Sequence, residues 1–185
     1  MTVFISLLRG INVGGKKRIG MADLVQLYNS LGFDNVRTYL QSGNVLFEAP
    51  NGDPSLLSAN ISQNISAKCG FSVNVILRTS EKLRRIILAS PLEKEGLDAA
   101  TYHVTFLSDS PPEEFPKSQM KGSDGPDRYV ILGREVYVSC PNGYGKTRFS
   151  NTFFEKKLGV VATTRNWKTV TTLAEMAKDR QQETV

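Results

Sequence analysis

The chain has 185 residues, of which 40% are hydrophobic and 22% charged, and its formal net charge is +5. This composition excludes collagen-like, disordered and disulfide-scaffold proteins, and the length predicts one large domain or two small ones. The charge surplus lies in residues 1–90, where 10 basic side chains face 5 acidic ones, and it favours polyanionic partners such as phosphates or nucleic acid. A charge that serves only solubility is the alternative.

The sequence contains no segment typical of membrane insertion or of a metal site. The apolar run at 3–8 is too short for the core of a signal peptide, and no window approaches the roughly 20 apolar residues of a membrane helix. Cys69 and Cys140 form no Cys-x-x-Cys pair and have no histidine cluster beside them. We therefore expect a cytoplasmic protein with reduced thiols, no metal, no cofactor and no membrane contact. The oligomeric state stays open.

The first half follows a split βαβ pattern. An apolar strand at 3–8 precedes a helix that begins at Met21 and ends at Gly32. Strands at 36–40 and 45–47 flank a turn. Asp53 and Pro54 begin a second helix that ends at Gly70, and alternating residues at 71–77 indicate a half-buried strand. This order predicts a ferredoxin-like antiparallel sheet with both helices on one face.

The same order recurs after a connecting segment. Residues 80–100 contain a helix capped by Ser80 and an acidic linker; strands follow at 102–106, 129–132, 136–138 and 160–164, with a helix at 149–158. A Pro-rich segment at 111–122 replaces the first helix, and Pro-Asn-Gly follows the third strand of both halves. We therefore predict an α+β fold with two tandem ferredoxin-like halves at 1–79 and 101–165, joined by 80–100, and a C-terminal helix and tail at 166–185.

Two segments of the first half combine glycine with cationic or amide groups. RGINVGGKKR at 9–18 contains no acid, and a glycine loop between a strand and a helix is suited to holding an anion. QSGN at 41–44 is a hairpin turn whose amides could contact a ligand. Because the first two strands of a split βαβ unit run parallel, both segments should leave the same end of the sheet. The predicted ligand-binding residues here are Arg9, Asn12, Gly14, Gly15, Lys16, Gln41, Ser42 and Asn44. Ordinary turn chemistry is the alternative.

The second half contains a related pair of segments. PNGYGKT at 141–147 lacks the first glycine of a Walker A loop, because Cys140 occupies that position, which argues against an NTPase. A glycine loop that directs Lys146 toward a helix N-terminus remains an anion site. Arg165 in TTRNWKT should lie at the same end of the second sheet as Lys146, and both are predicted to bind the anion.

Catalytic residues cannot be assigned from spacing, because the lone His103 has no nucleophile partner and no paired carboxylates or Ser-His-Asp set can be assembled. The leading hypothesis is a protein that binds a phosphate-bearing ligand, a nucleotide or nucleic acid. An enzyme of transferase type, with Lys16 or Lys146 stabilising developing charge, is the second. A structural or protein-interaction module is the third.

Three blocks resemble a known family. RGINVGG at 9–15, TYLQSGNVLF at 38–47 and TTRNWKTVTTL at 163–173 are similar to the bacterial domain-of-unknown-function family sixteen ninety-seven (DUF1697). The resemblance spans nearly the whole chain and departs mainly in GYGKT, where a Ser-Lys pair is expected after the glycines. It implies a small, soluble, α/β bacterial protein with no assigned activity, and it carries over no catalytic residue.

Overall fold

The computed structural model describes residues 1–91, 96, 98–112, 121–122 and 125–182. They form a mixed α+β fold with two antiparallel sheets. The chain divides into two compact units, the first comprising Met1–Arg84 with Leu173–Val185 and the second Arg85–Thr172.

The first unit contains a four-stranded sheet in the order β2-β3-β1-β4. Its elements are β1 (Thr2–Leu8), α1 (Met21–Ser30), β2 (Asp34–Tyr39), β3 (Asn44–Ala49), α2 (Pro54–Cys69) and β4 (Val75–Thr79). Helix α3 (Ser80–Leu88) begins in this unit and continues past Arg84, the last residue of this segment. β1 and β2 both pair antiparallel with β3, so they run in the same direction. The ends of β1 and β2 and the start of β4 consequently meet at one end of the sheet.

Local sequence accounts for the helix ends in this unit. The Asp53 side chain accepts a hydrogen bond from the Ser55 amide at 2.8 Å, Pro54 occupies the first turn, and Gly70 ends α2 in the left-handed conformation at φ +74°. The core between the sheet and the helices is aromatic and aliphatic, and the Phe47 ring packs against Phe4, Tyr28 and Phe33.

The second unit contains a sheet in the order β6-β7-β8-β5-β9. Its elements are β5 (Tyr102–Leu107), β6 (Lys121–Gly122), β7 (Arg128–Leu132), β8 (Glu135–Ser139), α4 (Asn151–Leu158) and β9 (Ala162–Asn166); α5 (Trp167–Gln182) begins here. With the two-residue β6 set aside, β7, β8, β5 and β9 take the same order as β2, β3, β1 and β4. The Ser150 side chain caps α4, and Gly159 ends it.

The observed elements differ from the predicted ones at several points. β4 begins at Val75 rather than near Phe71, since the hydroxyl of Ser62 on α2 binds the Val73 carbonyl at 2.6 Å and holds that stretch against the helix. Strand β4 is also buried on both faces, so the alternation of apolar and polar residues along it does not indicate a solvent-exposed face. Thr79, rather than Ser80, supplies the side-chain oxygen that caps α3. Most of the Pro-rich segment and part of the acidic linker lie outside the described residues.

Candidate functional site

The loop after β1 folds into a miniature hairpin over residues 12–17. The Asn12 amide donates to the Lys17 carbonyl and the Lys16 amide to the Val13 carbonyl, both at 3.2 Å. Gly14 and Gly15 occupy the tip with φ of +59° and +74°, which is the two-residue turn that glycine favours because it has no Cβ. The loop is therefore an ordered structure.

Asn12 joins this loop to the turn after β2. Its Oδ1 accepts from the Ile19 amide at 2.9 Å, and its Nδ2 donates to the Ile19 carbonyl at 3.0 Å and to the Gln41 carbonyl at 2.9 Å. Both amide hydrogens are thus used within the protein. Asn12 positions the two segments and has no donor left for a ligand.

The turn after β2 is packed tightly against the same loop. Gly43 has φ +75°, and a Cβ at this position would lie 2.7 Å from Ile11 Cδ1 and 2.8 Å from Leu8 Cβ. The Gly43 carbonyl accepts from the Leu8 amide at 2.9 Å. The buried Asn44 donates through Nδ2 to the Tyr39 carbonyl and to Ser42 Oγ. Ser42 and Asn44 therefore hold the turn in shape.

A solvent-open cavity of about 440 Å³ lies between the loop and the turn, and we call it the loop cavity; its lining residues are Asn12, Gly15, Arg18, Ile19, Gly20 and Gln41. The exposed Arg18 makes no hydrogen bond or ion pair with another described residue. The same holds for the Gly15 amide and for the side chain of Gln41. The cavity is thus lined in part by residues whose cationic and amide donors have no partner in the described part of the chain.

The N-terminus of α1 lies at the wall of the loop cavity. Gly20 is the N-cap residue and supplies no side-chain cap. The Asp23 carboxylate folds back toward it, with Oδ2 only 2.7 Å from where a Cβ at residue 20 would stand. Glycine at position 20 therefore makes room for Asp23, and this carboxylate is the negative charge closest to Gly20 among the contacts that the structure gives.

The structure brings together only part of the predicted site. Asn12, Gly15 and Gln41 line the loop cavity, whereas the half-buried Arg9 does not and its amide donates to the Asn74 carbonyl at 2.9 Å. Gly14 and the exposed Lys16 belong to the hairpin beside it.

Arg18, Ile19 and Gly20 are cavity residues that the predicted set omitted. The run of basic residues at 16–18 indicated this region, but the sequence alone does not distinguish which of the three side chains lines the cavity. Lys17 does not line it, because its Nζ donates to the Ser72 carbonyl at 2.7 Å.

The family described as "Protein of unknown function (DUF1697)" matches residues 1–137, which include every residue of the loop cavity. The chain belongs to this family. Comparison with curated proteins gave no match. Among solved structures, the chain is similar to the conserved bacterial protein SP0830 from Streptococcus pneumoniae, with a TM-score of 0.69, 22% identity, and coverage of 96% of this chain and 99% of that one. At this identity the likeness shows the fold.

In the second unit of this DUF1697 chain, β8 and β9 both end beside the start of β5, so the segments of Lys146 and Arg165 leave the same end of the sheet, but the two residues lie on opposite faces. Arg165 pairs with Val104 across the sheet, whereas Tyr144, two residues before Lys146, stacks on His103 with ring centroids 4.7 Å apart. Neighbouring residues of a strand face opposite sides, so the Lys146 turn packs on the face opposite to Arg165. Lys146 also lies before the start of α4 rather than at it, because a 3-10 turn at Tyr144–Lys146 intervenes.

Arg165 is buried and bound to its own strand. One guanidinium nitrogen donates to Thr163 Oγ1 at 2.8 Å and to the Thr164 carbonyl at 2.9 Å. Lys146 is exposed.

A polar cluster on the α4 face includes Tyr144, whose ring stacks on His103. Thr164 Oγ1 donates to Asn151 Oδ1 at 2.6 Å, accepts from the Tyr144 hydroxyl at 2.9 Å and lies 2.7 Å from Thr105 Oγ1. The hydrogen-bonding capacity of this hydroxyl is therefore filled. Burial lowers the pKa of His103, whose Nδ1 lies 3.2 Å from the Thr101 carbonyl. The cluster holds the sheet to the turn before α4.

Neither cysteine is an activated thiol. Burial raises the pKa of Cys140 to about 11 and also raises that of Cys69, so both are protonated at neutral pH. Within the described ranges, no group of three or more His, Cys, Asp or Glu residues is placed to hold a metal ion. In the same ranges, no helix has both the length and the apolar character needed to cross a membrane.

Proposed function

We propose that the loop cavity binds the phosphate group of a small anionic ligand. The observation that carries the proposal is the Arg18 guanidinium, which is exposed at a cavity also lined by Gly15 and Gly20 and makes no hydrogen bond or ion pair with any described residue. A guanidinium donates paired hydrogen bonds to phosphate oxygens, and glycines let an anion approach the backbone closely. The N-terminus of α1 contributes further positive potential.

The cavity favours a small molecule over nucleic acid. A volume of about 440 Å³ falls within the roughly 300–1,000 Å³ of small-molecule sites. Nucleic acid binding relies on several cations that each neutralise a phosphate, whereas Arg18 is the single cation among the described residues that line the cavity.

The lining residues also favour binding over a chemical reaction. They supply a guanidinium, amides and backbone groups, and none of them is a nucleophile or a group that exchanges protons near neutral pH. The transferase hypothesis assigned the stabilisation of charge to Lys16 or Lys146, and neither lysine is among the described residues that line the loop cavity.

A titration with ribose 5-phosphate at low salt tests this proposal, followed by calorimetry and by amide chemical shifts. We expect saturable binding with the largest shifts at Gly15, Gly20 and Gln41. Charge-assisted hydrogen bonds contribute about 1.5–3 kcal/mol, so Arg18→Ala should weaken binding by roughly tenfold or more.

Arg84→Ala is the matched control, because Arg84 is another exposed arginine of the first unit that lies on α3 beyond the far end of β4. It should change the affinity less than about twofold. Equal weakening by both substitutions would show that only net charge attracts the ligand, and the proposal would then fail.

A gain of affinity provides an independent check. The Asp23 carboxylate lies beside Gly20, where it repels an anion in the cavity. Asp23→Asn removes the charge and keeps the shape of the side chain, so it should tighten ribose 5-phosphate binding. An unchanged affinity would place the ligand away from the N-terminus of α1.

We propose further that the chain is a duplication of one ferredoxin-like unit, with its halves at 1–79 and 101–165. The support is the shared strand order of the two sheets and the Pro-Asn-Gly segment that follows both β3 and β8. Segments 80–100 and 166–185 would then be additions that connect and extend the repeated unit.

A further inference from the structure

Two exposed apolar residues lie next in sequence to residues of the loop cavity. Val13 is 65% exposed and Leu40 is 53% exposed. Each is the chain neighbour of a cavity residue, and those two cavity residues touch, since Asn12 Nδ2 donates to the Gln41 carbonyl at 2.9 Å. Each of the two segments that enclose the cavity therefore carries one exposed apolar residue beside a cavity residue.

The backbone of the two segments that enclose the cavity includes energetically unfavourable conformations. Four non-glycine residues in the described part of the chain have positive φ, and three of them, Asn12, Lys17 and Leu40, belong to the two segments around the cavity. Leucine at φ +59° is unfavourable because its Cβ crowds the backbone, and such strain is concentrated at ligand sites and switches. At Leu40 the fold therefore maintains a strained backbone and leaves an apolar side chain exposed.

Gln41 adds a polar group next to Leu40. Its side-chain amide makes no hydrogen bond with another described residue. The amide presents a donor and an acceptor side by side, which is the pattern that pairs with the edge of a nucleobase.

From these observations, and resting on the proposed phosphate site, we infer that the ligand is a nucleoside monophosphate. Its phosphate would bind Arg18, its base would cover Leu40 and Val13, and the base edge would meet the Gln41 amide. A sugar phosphate has no apolar face to cover the two side chains. An alkyl phosphate has no polar edge for the amide. A nucleobase has both features.

The experiment compares adenosine monophosphate, uridine monophosphate and ribose 5-phosphate by calorimetry on the full chain. The nucleotides and ribose 5-phosphate share the phosphate and the sugar, so their affinity ratio measures what the base adds. We expect at least one nucleotide to bind about tenfold more tightly than ribose 5-phosphate.

Leu40→Asn tests which side chain produces that ratio. Asparagine tolerates positive φ, so the variant should melt at or above the temperature of the parent chain. We expect the nucleotide to lose most of its advantage while ribose 5-phosphate binds as before. The control is Leu56→Asn, which changes a 71% exposed leucine on α2 and should leave the ratio intact.

The outcomes separate this inference from the proposed function. If ribose 5-phosphate and the nucleotides bind equally, or if Leu40→Asn keeps the ratio, the phosphate site stands and the nucleotide assignment is wrong. If none of the three compounds binds, the proposed function and the assignment fail together.

Discussion

Replacing Gly43 with alanine should destabilise the first unit through two separable effects. Alanine at φ +75° costs about 1–2 kcal/mol because its Cβ crowds the backbone. The new methyl group would also lie within 3 Å of Leu8 and Ile11, and overpacking of this kind costs about 1–3 kcal/mol. The total loss should be about 2–5 kcal/mol, a large part of the stability of a typical domain.

Comparison with Gly70→Ala separates the packing effect at Gly43 from the backbone effect. Gly70 has nearly the same φ, +74°, but nothing lies within 4 Å of where a Cβ at this residue would stand, so only the backbone cost of about 1–2 kcal/mol applies. Urea unfolding followed by circular dichroism measures both variants against the parent chain. Equal losses for the two substitutions would refute the close packing of the turn against Leu8 and Ile11.

Two further predictions concern Asn12 and His103. Asn12→Gly keeps a residue that accepts φ +54° but removes three side-chain hydrogen bonds. It should lower the free energy of unfolding by about 2–3 kcal/mol and speed hydrogen exchange at the Ile19 amide. Unchanged protection of that amide would contradict the positioning role of Asn12. Burial lowers the pKa of His103 from 6.5, so the unfolded chain binds the proton more tightly, and the free energy of unfolding should fall as pH drops below 6.5 toward the folded value. His103→Phe keeps an aromatic ring against Tyr144 and should flatten that dependence in urea titrations, since the chain has a single histidine; an unaltered pH profile would show that another group is responsible.

Local sequence was sufficient to predict most helices and strands and the end of the first sheet at which the candidate site lies. Asp53, Pro54 and Gly70 define α2 through capping and backbone preference, which depend on neighbouring residues only. The parallel run of β1 and β2 follows from element order, and it correctly placed the glycine loop and the Gln41 turn at the same sheet end.

Burial could not be deduced from the same patterns. Arg78 looks like a solvent-facing residue of an alternating strand, yet it is only 4% exposed, and Arg165, which was expected to bind a ligand, is only 7% exposed. A period-two pattern identifies the faces of a strand but cannot show whether something covers each face. The same limit explains why β4 was expected to be half-buried.

The amino-acid sequence alone determined the family, the α+β class, most helix and strand positions and the basic, glycine-rich character of the loop, because these depend on composition and on residues close together in the chain. Only the tertiary structure decided which groups face the loop cavity. Lys17 donates a hydrogen bond to the Ser72 carbonyl, and the Asn12 side chain donates to the Ile19 and Gln41 carbonyls. Arg18 is the basic residue of this loop that lines the cavity. Those partners are distant in sequence, and hydrogen-bond geometry between distant segments exists only once the chain has folded.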